Sequence, residues 1–243
     1  MTSFVARCAI AAPRAAAYAW HARPGAFERL TPPKDAVRLV EDSGGIEDGA
    51  RKVLAIGPLG IRWTAVHDQH VAGHRFRDVQ QRGPFRRFEH THTFLDDGPA
   101  NSILVDAIEY ELPVGKLGEL VAGRAIRAKL EAMFAHRHRV TRHDVELAAR
   151  EPPGTTSLWI DGRDAESRRV QVVWAFLSTL GWRAVRSTRG AERDAFDAIV
   201  RVQPDSAVIE GAGGRESASL SDLADSSLAE LHRTLRRFEA AAR

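Results

Sequence analysis

His90 and His92 stand two residues apart in the stretch Phe88-Glu89-His90-Thr91-His92-Thr93-Phe94. Side chains alternate along a strand, so both imidazoles leave one face with Phe88 and Phe94 beside them. Such a pair can bind a metal, act as a general base, or orient a ligand by hydrogen bonding. A metal needs three or four ligands, and the further ones would have to come from His67, His70, His74 or Asp106, which the sequence alone does not place. Hydrogen bonding or pocket lining is the reading adopted, and no metal is expected.

The same parity sorts the neighbouring segments. Residues 61–72 present either Trp63, Ala65, His67 and Gln69 or Thr64, Val66, Asp68 and His70. Residues 74–82 present either Phe76, Asp78 and Gln80 or Arg75, Arg77 and Val79. The sets holding the aromatic rings are assigned inward. Asp106, Glu109 and Glu111 could supply an acid or base, but alternation turns Asp106 away from the other two, so at most one group faces inward. His136, Arg137, His138, Arg139, Arg142 and His143 form a basic run that reads as a solvated helix end complementing the helix dipole. Cys8 reads as a small buried apolar residue, and no nucleophile-elbow sequence occurs.

These residues need a scaffold, and its elements are legible. An alternating strand over 3–10 precedes two short helices, 14–20 after Pro13 and 25–30 before Pro32-Pro33. Six segments come next, 35–42, 49–57, 61–72, 74–82, 86–95 and 101–112, rich in Val, Ile, Phe, Trp, Thr and His and separated by Gly, Pro or Asp-Gly. They predict an antiparallel meander. From 117 to 147 the period becomes helical, with Leu117, Leu120, Val121, Leu130, Met133 and Phe134 as its apolar stripe. One long helix covers a curved sheet imperfectly, so a cavity is expected between them, walled by Trp63, His67, Phe76, Gln80, Phe88, His90, His92, Met133 and Phe134.

Composition bounds the function. The 243 residues are 44% hydrophobic and 28% charged, with 35 Lys+Arg against 32 Asp+Glu. A formal charge of +3 gives no case for nucleic acid. A single cysteine excludes an intrachain disulfide and suits the cytoplasm. Arg7, Pro13 and Arg14 interrupt any signal-peptide core, and the most apolar later run, 170–182, is too short for a bilayer, so no integral membrane association is expected.

Four blocks carry a family resemblance: Trp20-His21-Ala22-Arg23-Pro24-Gly25-Ala26-Phe27-Glu28-Arg29-Leu30-Thr31-Pro32-Pro33; Gly83-Pro84-Phe85 with Glu89-His90-Thr91-His92; Glu109-Tyr110-Glu111-Leu112-Pro113; and Met133-Phe134-Ala135-His136-Arg137-His138. In this order they resemble the SRPBCC superfamily of START-like and polyketide-cyclase-like domains, in the branch found fused to a sugar-epimerase-like Rossmann domain in bacterial proteins. The resemblance implies an α+β helix-grip domain over 1–150, with an antiparallel sheet, a long C-terminal helix and a hydrophobic small-molecule pocket.

Glu151-Pro152-Pro153-Gly154 cannot continue a helix, so 151–154 is assigned as a linker and 155–243 as a second domain. Strands at 157–161, 183–187 and 207–210 around a helix at 165–180 resemble the start of that Rossmann domain, as do Leu177-Ser178-Thr179-Leu180-Gly181-Trp182 and Ala207-Val208-Ile209-Glu210-Gly211-Ala212-Gly213. A pyrophosphate requires glycines at the first strand–helix turn. Here Gly162 is followed by Ala165 and Arg168 at the expected glycine positions, among Asp161, Asp164 and Glu166. Residues 151–243 contain neither tyrosine nor lysine, the proton-transfer pair of such epimerases. The expectation is a shortened, degenerate small α/β Rossmann-like domain without nucleotide cofactor or epimerase activity. Three functions are compatible with this reading: binding of a hydrophobic small molecule or lipid in the helix-grip cavity; a cyclase or dehydratase using His90 or His92 as general base; or a protein-interaction module acting through the second domain.

Overall fold

The computed structural model describes residues 1–32, 35–162, 167–187 and 195–243, apart from the side chains of 116, 117 and 119. The chain forms two compact units, Met1–Ala22 with Leu30–Arg142 and Arg23–Arg29 with His143–Arg243.

The first unit is a seven-stranded antiparallel sheet. Strands β2 (Val37–Asp42), β3 (Arg51–Ile56), β4 (Ile61–Val71), β5 (Arg75–Arg82), β6 (Arg87–Asp96) and β7 (Ser102–Glu111) run as a meander, and β1 (Thr2–Ile10) returns to the free side of β7. Gly57 and Gly60 turn β3 into β4 at positive φ, which glycine adopts without a Cβ penalty. Helix α1 (Arg14–Ala22) packs on β6 and β7. Helix α3 (Lys116–Arg150) closes the unit, giving the helix-grip arrangement of sheet and long helix.

The inward stripe of α3 differs from the expected one. Leu120 and Val121 are 83% and 80% exposed. Every fourth residue faces in, from Gly118 through Ala122, Ile126, Leu130, Phe134 and His138, and at 100° per residue Leu120 lies on the opposite side. Leu117 lies outside the described side chains. Alternation on β4 also has an exception: His67 is buried, but so is Thr64 of the opposite set.

The second unit is a five-stranded mixed sheet in the order β12-β11-β10-β8-β9. Strand β8 (Ser157–Gly162), helix α4 (Arg168–Leu180) and strand β9 (Arg183–Arg186) make a parallel β-α-β unit, with β10 (Ala198–Val202) parallel on the other side of β8. Strands β11 (Ser206–Gly211) and β12 (Gly214–Ser219) come next as antiparallel hairpins, and α5 (Asp225–Ala242) packs on them. Strands β10 and β12 and helix α5 are additions to the elements that the sequence predicts.

Helix α3 stops ahead of Pro152 and Pro153, yet the compact units do not divide there. The segment containing α2 (Ala26–Leu30) packs with the second unit: a Cβ on Gly25 would lie 2.7 Å from the Ala175 Cα, and Arg23 donates to the Thr179 carbonyl at 2.8 Å. Buried Arg29 holds Asp144 at 2.8 and 3.0 Å and Asp225 at 2.9 Å. These contacts make residues 23–29 and 143–150 part of the second unit rather than the first.

Candidate functional site

Register assembles a buried polar cluster in the first unit. Asp78 stands opposite His67 on one side and His90 on the other, and His92 stands opposite Phe76 and Asp106. Asp78 Oδ1 lies 2.5 Å from His67 Nε2, and its Oδ2 lies 3.2 Å from His92 Nε2 and 3.8 Å from His90 Nδ1. On the far side Asp106 Oδ1 lies 2.9 Å from His90 Nε2 and 2.7 Å from His92 Nδ1, the latter out of line for a hydrogen bond. Asp106 Oδ2 meets His138 Nε2 of α3 at 2.6 Å. Each of the two central imidazoles therefore lies between two carboxylates.

The environment drives the two histidines apart. Burial lowers His90 to about 4, reinforced by the charge of His92 and opposed by its hydrogen bond to Asp106. Burial acts on His92 in the same sense, but the close charge of Asp106, with the hydrogen bond and charge of Asp78, overcomes it and raises His92 to about 9. Burial would raise both carboxyls; instead His67 and His92 hold Asp78, and His92, His138 and His90 hold Asp106, well below the usual carboxylate range. His21, buried on α1, is lowered to about 4 by burial and by the charge of His92. Asp78, His90 and His92 each offer a ligand atom, all within 4.8 Å of one another, so this trio could hold a metal ion.

Aromatic rings fill the surrounding space. Phe76 stacks on His92 at 4.3 Å between centroids, and Phe134 meets His90 nearly perpendicular at 5.3 Å and packs on Phe4 at 5.4 Å.

An open cavity of about 370 Å³ lies elsewhere in this unit, lined by Pro84, Phe85, Leu112, Pro113, Gly118, Ala122 and Ile126. It sits among the β5–β6 turn, the end of β7 and the first turns of α3. Leu112, Phe85, Ala122 and Ile126 belong to the same apolar cluster as Leu130 and Phe134.

The nine residues expected to wall a cavity thus separate into groups. His67, Phe76, His90 and His92 lie in the polar cluster, and Phe134 and half-buried Met133 lie in the apolar core beside it. Trp63 and Phe88 meet edge to face with centroids 4.8 Å apart, and both contact Phe85. Gln80 donates to the Phe85 carbonyl at 2.8 Å. None of the nine lines the 370 Å³ cavity, which they approach through Phe85.

Among the other candidates, Asp106 faces in while Glu109 is exposed and Glu111 pairs with Arg86 at 3.2 Å. The basic run is not a solvated helix end, since α3 continues to Arg150, His138 joins Asp106, and Arg137 lies over the Phe134 ring. His70 pairs with Tyr18, and His74 is exposed. Cys8 is fully buried.

The sequence model of the family described as "Polyketide cyclase / dehydrase and lipid transport" matches residues 10–135, just over half of the chain. The chain belongs to this family. No curated protein matches this polyketide cyclase / dehydrase and lipid transport family member. Among solved structures it is similar to a nucleoside-diphosphate sugar epimerase from Corynebacterium glutamicum, at 22% identity and a TM-score of 0.67, over 82% of this chain and 45% of that one. The family member therefore spans less than half of the epimerase chain. It is also matched to norcoclaurine synthase from Thalictrum flavum in complex with dopamine and hydroxybenzaldehyde (12% identity, TM-score 0.48, 63% of this chain and 89% of that one) and to a START superfamily protein from Mycobacterium smegmatis (14%, 0.44, 59% and 97%). Among its described residues no helix is long and apolar enough to cross a membrane.

Proposed function

We propose that the helix-grip unit binds a hydrophobic small molecule or lipid, and that the cavity bordered by Phe85, Leu112, Ala122 and Ile126 receives it. The observation that carries this reading is an open space of about 370 Å³ walled by apolar side chains, within the size range of small-molecule sites. Removing a ligand's apolar surface from water there would contribute about 25 cal/mol per Å². The family's description, which includes lipid transport, supports the same reading.

The test uses delipidated protein and a fluorescent fatty-acid probe. Wild type should bind the probe, and Ala122→Trp, which fills the cavity, should weaken binding at least tenfold. Equal affinity in the two proteins would refute the assignment of the cavity, and no binding by folded wild type would refute the function.

For the second unit we propose a Rossmann-like domain that takes no nucleotide. Its β8-α4-β9 unit with β10 across β8 supports the fold, as does the close approach of β8 to α4 at Gly162, where a Cβ would lie 2.6 Å from Val170 Cγ2. The Gly162 N–H, at the strand end where a phosphate would dock, already donates to the Asp161 carboxylate at 2.8 Å. Residues 163–166, which complete that turn, lie outside the described residues. A thermal shift with NAD(H) or NADP(H) should show no stabilisation; a rise in melting temperature would overturn this part.

A further inference from the structure

We propose that Asp78, His90 and His92 form a binding site for a divalent transition-metal ion, with Asp106 and His67 as its outer support. Asp78 Oδ2 lies 3.2 Å from His92 Nε2 and 3.8 Å from His90 Nδ1. Around a tetrahedral ion with bonds of about 2.1 Å, neighbouring donors stand roughly 3.4 Å apart, between these two values. The longer separation exceeds a hydrogen bond but is one bridged by a shared cation.

The far nitrogens complete the argument. Asp106 Oδ1 lies against His90 Nε2 and His92 Nδ1, the nitrogens left over if Nδ1 of His90 and Nε2 of His92 face the ion. A carboxylate behind a ligating imidazole fixes its tautomer and raises its basicity, and Asp106 stands so to His90 through a hydrogen bond and to His92 as a close charge. Asp106 is in turn fixed by His138, and Asp78 by His67 through its other oxygen. Two carboxylates, Asp78 and Asp106, flank the pair of imidazoles on opposite sides. Asp78 keeps 25% of its side chain accessible, whereas both imidazoles are buried. Three protein ligands leave one tetrahedral position open, as in reactive rather than purely structural sites. Two imidazoles with one carboxylate suit Zn²⁺, Co²⁺, Ni²⁺ or Fe²⁺ better than Mg²⁺ or Ca²⁺.

The experiment titrates chelator-treated full-length protein with Co²⁺ and follows its visible absorption. One equivalent should give ligand-field bands that Mg²⁺ does not displace. His90→Gln and His92→Gln, shown by circular dichroism to be folded, should lose the bands, His74→Ala should keep them, and Asp106→Asn should weaken binding by about 10- to 100-fold at unchanged stoichiometry. Bands that persist in the folded histidine variants would overturn the site. Should those variants not fold, wild-type crystals grown with Zn²⁺ decide. An anomalous peak bonded to Asp78, His90 and His92 supports the proposal; a peak only elsewhere, or none, removes it.

Discussion

The polar cluster and the apolar cavity lie beneath the same helix, and the size of every fourth residue on α3 separates them. Where the stripe reads Gly118, Ala122 and Ile126, helix and sheet leave a space; where it reads Leu130, Phe134 and His138, side chains fill it. The sheet makes the matching change, presenting Leu112 at one end and Asp106, His90 and His92 at the other. A helix laid on a curved sheet creates a gap of similar depth along its length, and the side chains decide whether a ligand or the protein occupies it.

Breaking the polar half should have the largest effect. Asp106→Ala leaves His90, His92 and His138 without their shared carboxylate, and its unfolding in urea with chelator present should show a loss of about 3–5 kcal/mol, as when one partner of a buried ionic group is removed. Binding of the apolar probe by the folded fraction should be unchanged; a parallel loss would mean that the two regions are one site. Phe134→Ala tests the wall between them. It should cost about 3–4 kcal/mol through the void it leaves, and the longer space should admit fatty-acid probes of greater chain length than wild type accepts. If the preferred length does not change, the cavity does not extend toward the histidines. Gly118→Ala sharpens the comparison from the apolar side. Its Cβ would strike the Pro113 carbonyl oxygen and approach Leu112 Cβ to 3.2 Å, so a loss of about 1–3 kcal/mol and weaker probe binding are expected, with Co²⁺ affinity unaltered.

The sequence disclosed the scaffold and half of the polar cluster. Alternation placed Asp78 with Phe76 and His67 with Trp63, and it separated Asp106 from Glu109, because a two-residue period needs no knowledge of partners. It did not reveal that Asp78 would lie between His67 and His90. That depends on cross-strand register, and β4 shifts register against β5 twice, at Thr64/Ala65 and at Asp68/Val71. His138 is hidden in the sequence because large apolar residues dominate the apparent helix phase. Leu120 and Val121 drew the stripe toward themselves, whereas the face that packs begins with glycine and alanine, which hydropathy does not mark. A cavity is expected from the sequence, but its lining is not legible there for the same reason. Strand β12 reads Gly-Arg-Glu-Ser-Ala-Ser, a polar edge strand without a hydrophobic pattern, whereas α5 carries a helical signal in Leu228, Leu231, Leu235 and Phe238.

Strand β7 is bonded along its length to β1 on one side and β6 on the other. It carries Asp106, and Leu112 comes directly after its end. A strand held on both sides is among the last to open to solvent, so its amides should exchange with deuterium more slowly than those of β2, which has a single neighbour. The backbone that anchors both regions would then stay closed while the sheet edge opens and recloses, and a ligand could enter or leave without disturbing the carboxylate at the centre.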